Sequence, residues 1–216
     1  MTGEFTSTMP SIETLTAFFA ASVLLALAPG PDNIFVLTQS ALRGRWAGIS
    51  VTFGLCTGLI GHTAAVTLGL AAVFAASAFA FTVLKLCGAA YLLWLAWQAF
   101  RASSSEIRAT ETDQLSSWQL YRRGILMNIT NPKVSIFFLA FLPQFVDGSK
   151  GGVSVQMIVL GAVFILATIL VFGGIALLAG TIGGWLQRSS GVQRLMNRLT
   201  GTIFALLAIR LAAAQR

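Results

Sequence analysis

Ala28-Pro29-Gly30-Pro31-Asp32-Asn33 interrupts the first apolar segment of this chain, and Asn128-Ile129-Thr130-Asn131-Pro132-Lys133 interrupts the fourth in a matching way. Proline, glycine and a charge at mid-depth of a membrane helix leave backbone groups without hydrogen bonds, and each such group costs several kcal/mol. A break of this kind therefore persists only where protein or a watery cavity covers it. Paired breaks at corresponding places in two halves of a chain are typical of the binding site of a membrane transporter.

The composition indicates an integral membrane protein. Of the 216 residues, 56% are hydrophobic and 10% are charged, and the mean hydropathy is +0.81, whereas a soluble domain carries about 25% charged residues. The formal charge of +7 comes from cations in short connections between apolar runs, as the positive-inside rule requires, so no nucleic-acid partner is expected. Cys56 and Cys87 both fall inside apolar segments, where we interpret them as small buried hydrophobes and not as a disulfide or metal ligands.

The apolar runs predict an all-α membrane protein that forms one transporter domain over residues 1–216, with the lipid bilayer as its surroundings. Backbone in lipid must satisfy its own hydrogen bonds, which favours helices. A polar linker, roughly 101–119, separates a first repeat, roughly 12–100, from a second, roughly 120–214. Arginines concentrate in the connections after spans one, three and five, which predicts a cytoplasmic linker and both termini outside. The six predicted spans are roughly 12–42, 46–75, 78–100, 120–146, 153–183 and 195–214.

Spans three and six carry a second sign of internal repetition. Lys85-Leu86-Cys87-Gly88-Ala89-Ala90-Tyr91 aligns with Arg198-Leu199-Thr200-Gly201-Thr202-Ile203-Phe204, so that a cation, a glycine and an aromatic residue recur at the same spacing. Three spans in each half is an odd number, and the second half must then insert upside down. Together with the matched breaks, this predicts an inverted 3+3 repeat in which helices 1 and 4 are broken.

Each break reads as the start of a new helix. Gly30 takes the N-cap position before Pro31, and Asn131 takes it before Pro132, because proline at the first helical position loses no hydrogen bond and asparagine is a preferred N-cap. The exposed N–H groups of a helix start favour an anion, such as a substrate carboxylate.

Opposite charges, Asp32 and Lys133, occupy the next position of the two restarted helices, and we expect them to pair across the pseudo-twofold axis. Asp32 is the one carboxylate deep within the spans. An ionisable residue in a membrane span is usually functional, so Asp32 is a candidate for exchanging a coupling proton or for binding a substrate ammonium group. The alternative is a helix-start carboxylate that only caps its own helix and pairs with Lys133.

Other polar residues of the spans remain open to two interpretations. His62, the single histidine, would relay protons or line the cavity, or else be a satisfied interhelical residue; alone it does not make a metal site. Asn128 and Asn131 would satisfy freed backbone groups or hold substrate. Tyr91 would face the cavity, while Trp94 and Trp97 are expected to pack or to anchor the membrane interface.

The glycines of span two predict close packing of helices, through Gly54 and Gly58 with Gly61 extending the small face. Catalytic signatures are missing from the sequence, so an enzyme is not expected. The candidate substrate-binding or coupling residues are therefore Pro29, Gly30, Pro31, Asp32, Asn33, Asn128, Asn131, Pro132, Lys133, His62 and Tyr91.

Three sequence motifs follow one another along the chain. Pro29-Gly30-Pro31 is the first, residues 85–92 are the second, and residues 124–145, with Asn131-Pro132-Lys133 and Phe137-Phe138-Leu139-Ala140-Phe141-Leu142-Pro143-Gln144-Phe145, form the third. They resemble the signatures of the LysE/RhtB-type amino-acid exporter superfamily, the lysine and threonine/homoserine efflux proteins of bacteria. The resemblance implies a multi-pass protein of the bacterial inner membrane that exports amino acids or their derivatives, with the site at residues 29–32 and 131–133.

The resemblance does not fix the substrate. A lone Asp32 opposed by Lys133 favours a small or neutral amino acid, threonine- or homoserine-like, over a cationic one such as lysine or arginine; other small metabolites stay as the alternative. From a different class, a passive pore or membrane scaffold remains open. No cofactor is expected beyond a proton or another coupling ion, and the sequence allows, without requiring, a homo-oligomer.

Overall fold

The protein is described by a computed structural model that covers residues 8–28, 30–76, 78–101, 115–188 and 190–213. Over these residues the chain is entirely helical, without a strand. After the short helix Pro132–Ile136, the chain continues through a π-helical turn, Phe137–Phe141, and a 3-10 turn, Leu142–Phe145. The α-helices are α1 (Ile12–Leu27), α2 (Pro31–Arg43), α3 (Arg45–Ala76), α4 (Ala78–Arg101), α5 (Ser117–Thr130), α6 (Pro132–Ile136), α7 (Val153–Arg188) and α8 (Ser190–Ala213).

Two of the described helices are long and apolar enough to cross a membrane by themselves, namely Arg45–Gly69 within α3 and Val153–Ala179 within α7. Two further pairs meet the same requirement only when joined: α1 with α2, bent by 63°, and α5 with Pro132–Phe145, bent by 51°. The described residues thus provide two candidate spans, or four when each bent pair counts as one. The prediction of six spans goes beyond this finding.

The helix boundaries at the breaks are those that the sequence predicts. α1 ends at Leu27, and α2 begins at Pro31 behind the N-cap Gly30. α5 ends at Thr130, and α6 begins behind the N-cap Asn131. Proline fixes a helical φ angle and lacks an N–H that the first helical position would leave unpaired, so both segments restart at a proline.

α3 packs closely along α5 through glycines. A methyl group placed on Gly54 would meet the backbone carbonyl of Tyr121 and lie 3.0 Å from the Cα of Gly124. One placed on Gly58 would lie 2.7 Å from Asn128 Oδ1. The predicted close packing is therefore confirmed for these two glycines. It is wrong for Gly61, which has no atom within 4 Å of such a methyl group.

We expect Gly54→Ala to lower the free energy of unfolding by about 1–3 kcal/mol, the usual cost of overpacking. The obstructing atoms belong to the backbone of α5, so the two helices must move apart to admit the methyl group. Gly61→Ala on the same helix is the matched control and should change little. Thermal unfolding of the purified variants in detergent measures both, and equal midpoints would show that the Gly54 contact does not hold the helices together.

The apolar core divides into two parts on either side of the breaks. The larger part contains an aromatic cluster that joins α1, α7 and the fourth segment, with ring centroids about 5–6 Å apart, as between Phe18 and Phe145 at 5.1 Å. The smaller part lies between α2, α3 and α7 and includes Val36, Val51 and Phe172. The aromatic cluster consists of Phe18, Phe137, Phe138, Phe141, Phe145 and Phe164.

Outward-facing residues correct one prediction and decide another. Cys56 is buried as predicted, but Cys87 is exposed, because it lies on the outer side of α4; both are free thiols. Trp94 and Trp97 are about half exposed, and the Arg101 guanidinium lies 4.5 Å from the Trp97 ring centroid. For Trp97, exposure beside a cation favours the interface-anchor interpretation over core packing.

Candidate functional site

The two breaks are joined by a hydrogen bond between buried side chains. Asp32 is 2% exposed and Asn131 is 3% exposed, and Asn131 Nδ2 donates to Asp32 Oδ2 over 2.9 Å. Asn131 Oδ1 accepts from the backbone N–H of Lys133 at 3.0 Å. Because one end of the amide faces an acceptor and the other a donor, its orientation is determined by its partners.

Lys133 reaches across from the second break to the first. Its side chain is buried, and Nζ donates to the carbonyl oxygens of Leu25 at 3.2 Å and Ala28 at 3.0 Å. These carbonyls lie at the C-terminal end of α1, where the chain supplies no further helical N–H groups and the helix dipole favours a cation. Lys133 therefore stabilises the interrupted first helix.

The predicted ion pair between Asp32 and Lys133 is not formed as a direct contact. Both residues are described, and neither takes part in an ion pair. The ammonium group instead donates to the α1 carbonyls, while the Asn131 amide occupies one oxygen of the carboxylate. Asn131 connects the two residues, because it is hydrogen-bonded to the Asp32 carboxylate and to the Lys133 backbone.

Two more side chains satisfy carbonyls at the breaks. Asn33 Nδ2 donates to the carbonyl of Ala26 at 2.6 Å, back across the first break. His62 Nε2 lies 3.2 Å from the carbonyl of Asn128, which can only accept, so Nε2 carries the hydrogen. The His62 ring also packs on Phe138, with centroids 5.5 Å apart. These contacts match the interpretation of His62 as a satisfied interhelical residue.

Several buried oxygens at the breaks have no hydrogen-bond partner. They are Asp32 Oδ1, Asn33 Oδ1 and Asn128 Oδ1. Asp32 Oδ1 is an acceptor because it is a carboxylate oxygen. Asn33 Oδ1 is an acceptor because the opposite end of the same amide donates to a carbonyl. A buried polar group left unpaired costs about 1–3 kcal/mol, so this group of acceptors is suited to a ligand or ion that brings hydrogen-bond donors.

The two helix starts differ in their capacity to bind an anion. Gly30 provides no side-chain cap, so the first turn of α2 keeps its N–H groups for another acceptor. At the second break the Lys133 N–H is already bonded to Asn131 Oδ1. Gly30 also gives Lys133 its room, since a methyl group on it would lie 3.2 Å from Nζ. The second helix start thus has a side-chain cap that the first one lacks.

The remaining predicted residues are less closely connected. Pro31 and Pro132 are exposed, and Pro29 lies outside the described residues. Tyr91 packs on Trp94, with ring centroids 5.2 Å apart, and its buried hydroxyl has no partner; no hydrogen bond joins it to the breaks. Among the described residues, no group of His, Cys, Asp and Glu side chains is arranged to hold a metal.

Comparison with known proteins gives a consistent family match. The LysE type translocator family matches residues 23–215. A "Homoserine/homoserine lactone efflux protein" of Salmonella typhimurium is 35% identical over 199 residues, covering 92% of this chain and 96% of the relative. An "Uncharacterized membrane protein" of Vibrio cholerae is 34% identical with the same coverage.

A more distant relative carries a different substrate in its name. A "Leucine efflux protein" of Salmonella choleraesuis is 24% identical over 199 residues, covering 92% of this chain and 94% of the relative. No solved structure matches the chain.

Proposed function

Because this chain belongs to the LysE type translocator family, we propose that it is a secondary active exporter of small or neutral amino acids or their derivatives, located in the bacterial inner membrane and coupled to the proton gradient. The observation that carries the proposal is the pair of helix breaks joined by Asp32 and Asn131. A buried carboxylate with one unpaired oxygen, next to an interrupted helix, fits the binding site of a transporter better than a structural contact does.

The proposed architecture is six spans in an inverted repeat: α1 with α2, α3, α4, α5 with α6 and its continuation, α7, and α8. The packing of the helices supports it. α3 packs along α5 as α7 packs along α1 and α2, while α3 and α7 pack on each other and so do α4 and α8. If the two halves are exchanged, the contact between α3 and α5 becomes the contact between α7 and α1. The contacts of α3 with α7 and of α4 with α8 are each converted into themselves, as a pseudo-twofold axis requires.

The proposed orientation places the arginine-rich connections in the cytoplasm. Exposed tryptophans occur at three helix ends on this side: Trp46 beside Arg45, Trp97 beside Arg101, and Trp118 at the start of α5. Tryptophan and arginine are both common at the membrane–water interface. Their coincidence supports a boundary of the bilayer at this level.

The proposed site binds the substrate ammonium group at the first break. Asp32 Oδ1 and Asn33 Oδ1 are buried acceptors without donors, and the carboxylate of a zwitterionic amino acid would be bound by the uncapped first turn of α2. Homoserine and homoserine lactone, named in the relative, share an ammonium group, whereas the lactone has no free carboxylate. The ammonium is then the common anchor, and Lys133 disfavours a second cation on the substrate.

We assign the coupling proton to Asp32. One oxygen is held by Asn131 while the other is unpaired, so a proton and an ammonium group would compete for the same atom. Competition of this kind makes proton entry and substrate release alternate. Movement of one three-helix half against the other would break and re-form the hydrogen bonds that join them, Asp32–Asn131 and Lys133–carbonyl, as the site opens to either side.

Uptake of labelled amino acids into inverted membrane vesicles tests the proposal. With an imposed pH gradient, we expect homoserine to accumulate above its external concentration, and a protonophore should abolish the accumulation. Vesicles without the protein are the control. Equilibration without accumulation would instead indicate a passive pore, and no movement of any amino acid in a full panel would contradict the assigned substrate class.

A further inference from the structure

A hydroxyl on α7 lies among the groups that the proposed function does not yet use. Thr168 is 1% exposed, and its Oγ1 has no hydrogen-bond partner. Helical threonines in this protein usually donate to the carbonyl four residues earlier, which satisfies the hydroxyl within its own helix. Buried or half-buried Thr52, Thr57, Thr63 and Thr67 on α3 all do so.

Thr168 differs from these four threonines because its hydroxyl forms no hydrogen bond to its own helix; Thr38 on α2 is the other described threonine whose buried hydroxyl has no partner. An unpaired buried hydroxyl destabilises the folded protein, and Thr168 could avoid this by adopting the conformation of the other threonines. Its hydroxyl therefore remains available to a partner outside its own helix.

Two buried stripes face each other between α2 and α7. Residues four apart on a helix share a face, and on α2 the stripe is Asp32, Val36 and Ser40. On α7 the corresponding stripe is Thr168, Phe172 and Ala176. All six residues are buried. Val36, Phe172 and Ala176 belong to one core cluster, which places the middle of both stripes together.

Contacts with α3 give the register at one end. A methyl group on Gly48 would touch the side chains of both Ser40 and Ala176, so these two residues lie at one level. One on Gly161 of α7 would touch Thr63, and α7 therefore runs antiparallel to α3. Only Gly44 separates α2 from α3, and the two helices pack side by side, so α2 runs antiparallel to α3. Because α7 is also antiparallel to α3, α2 and α7 run parallel to each other.

The other end of the two stripes follows from this register. Eight residues before Ser40 is Asp32, and eight residues before Ala176 is Thr168, a rise of about 12 Å on each helix. Asp32 and Thr168 thus lie at one level, and no hydrogen bond joins them. Each residue carries a buried polar atom without a partner, Asp32 Oδ1 and Thr168 Oγ1, so a ligand bound between α2 and α7 at this level would meet both atoms.

We propose that Thr168 determines specificity by hydrogen-bonding the polar side chain of the substrate, a hydroxyl in homoserine, while Asp32 binds the ammonium group. A threonine hydroxyl is neutral and both donates and accepts, which suits a substrate hydroxyl better than a charged group. This inference rests on the proposed function and adds the feature that separates hydroxylated from aliphatic amino acids.

Competition transport tests the inference in proteoliposomes of purified protein. Labelled homoserine is the substrate, and the competitor is unlabelled homoserine or 2-aminobutyrate, which lacks only the side-chain hydroxyl. The wild type should prefer homoserine. Thr168→Val should reduce this preference about 3- to 10-fold, the effect of one neutral hydrogen bond, and Thr168→Ser should retain it. Thr52→Val, which removes a hydroxyl bonded within its own helix, is the matched control and should leave the preference unchanged.

The outcomes separate the inference from the function on which it rests. Equal preference in the wild type and in Thr168→Val, or a wild type that does not distinguish the two amino acids, would overturn the inference while leaving export intact. A wild type that moves neither amino acid would overturn the proposed function as well. Thermal unfolding gives a second measure, because replacing an unpaired hydroxyl by a methyl group should not lower the midpoint; a clear drop would mean that Thr168 has a structural partner.

Discussion

Asp32→Asn should lower gradient-driven homoserine export by about 10- to 100-fold, the effect of losing a charge-assisted hydrogen bond, while the protein stays folded and inserted. Asparagine has the same size, and its side-chain oxygen can still accept from Asn131 Nδ2, so the hydrogen bond between the breaks survives. It carries no negative charge for an ammonium group and takes up no proton. The initial rate of uptake into inverted vesicles, per amount of inserted protein, measures the effect.

Asp147→Asn is the matched control for this change. Asp147 is exposed in the loop before α7, where Ser149 and Lys150 are its partners, and its loss should leave export unchanged. Normal export by Asp32→Asn would assign Asp32 a structural role at the start of α2. Loss of export together with loss of inserted protein would instead mean that the charge is needed for folding.

Lys133→Met should destabilise the folded protein by about 3 kcal/mol or more, the effect of removing one member of a buried charged group. The Leu25 and Ala28 carbonyls lose their donor, and Asp32 loses the nearby positive charge. Methionine keeps most of the side-chain volume. Thermal unfolding in detergent and the yield of inserted protein measure the loss.

A second substitution distinguishes the causes of this destabilisation. Asp32→Asn combined with Lys133→Met should recover part of the stability, because no uncompensated charge remains, although the two carbonyls stay unpaired. Lys150→Met, which removes a half-exposed lysine, should have almost no effect. If the double variant were no more stable than Lys133→Met alone, the carbonyl contacts would account for the whole effect and the charge on Asp32 for none.

The sequence predicts the positions of the breaks because the responsible signals are local. Proline and a preceding N-cap residue act within one helical turn, so Gly30 and Asn131 were identifiable as caps without knowledge of the fold. The glycine contacts of α3 were predictable in kind but not in extent. Gly61 continues the pattern of small residues, and only the path of α5 decides that it stays outside the contact.

The partners of the buried polar groups were not predictable from the sequence. Matched positions suggested that Lys133 would bind Asp32, since opposite charges attract. The breaking of α1 creates competing acceptors, however, and the ammonium group can bond two carbonyls at once. Nothing in the sequence distinguishes Thr168 from other helical threonines. Only the structure reveals that its hydroxyl lacks the usual hydrogen bond to the preceding turn.

The hydrogen bonds of Lys133 also bear on how the protein is made. They join residues 105 and 108 positions apart, and a ribosome adding about 5–20 residues per second needs roughly 5–20 seconds to bridge that interval. During this time α2, α3, α4 and α5 are synthesised, while the Leu25 and Ala28 carbonyls at the end of α1 lack the Lys133 donor. Because unpaired carbonyls in lipid are costly, we expect the end of α1 to stay in contact with water or with the protein-conducting channel until the second half emerges.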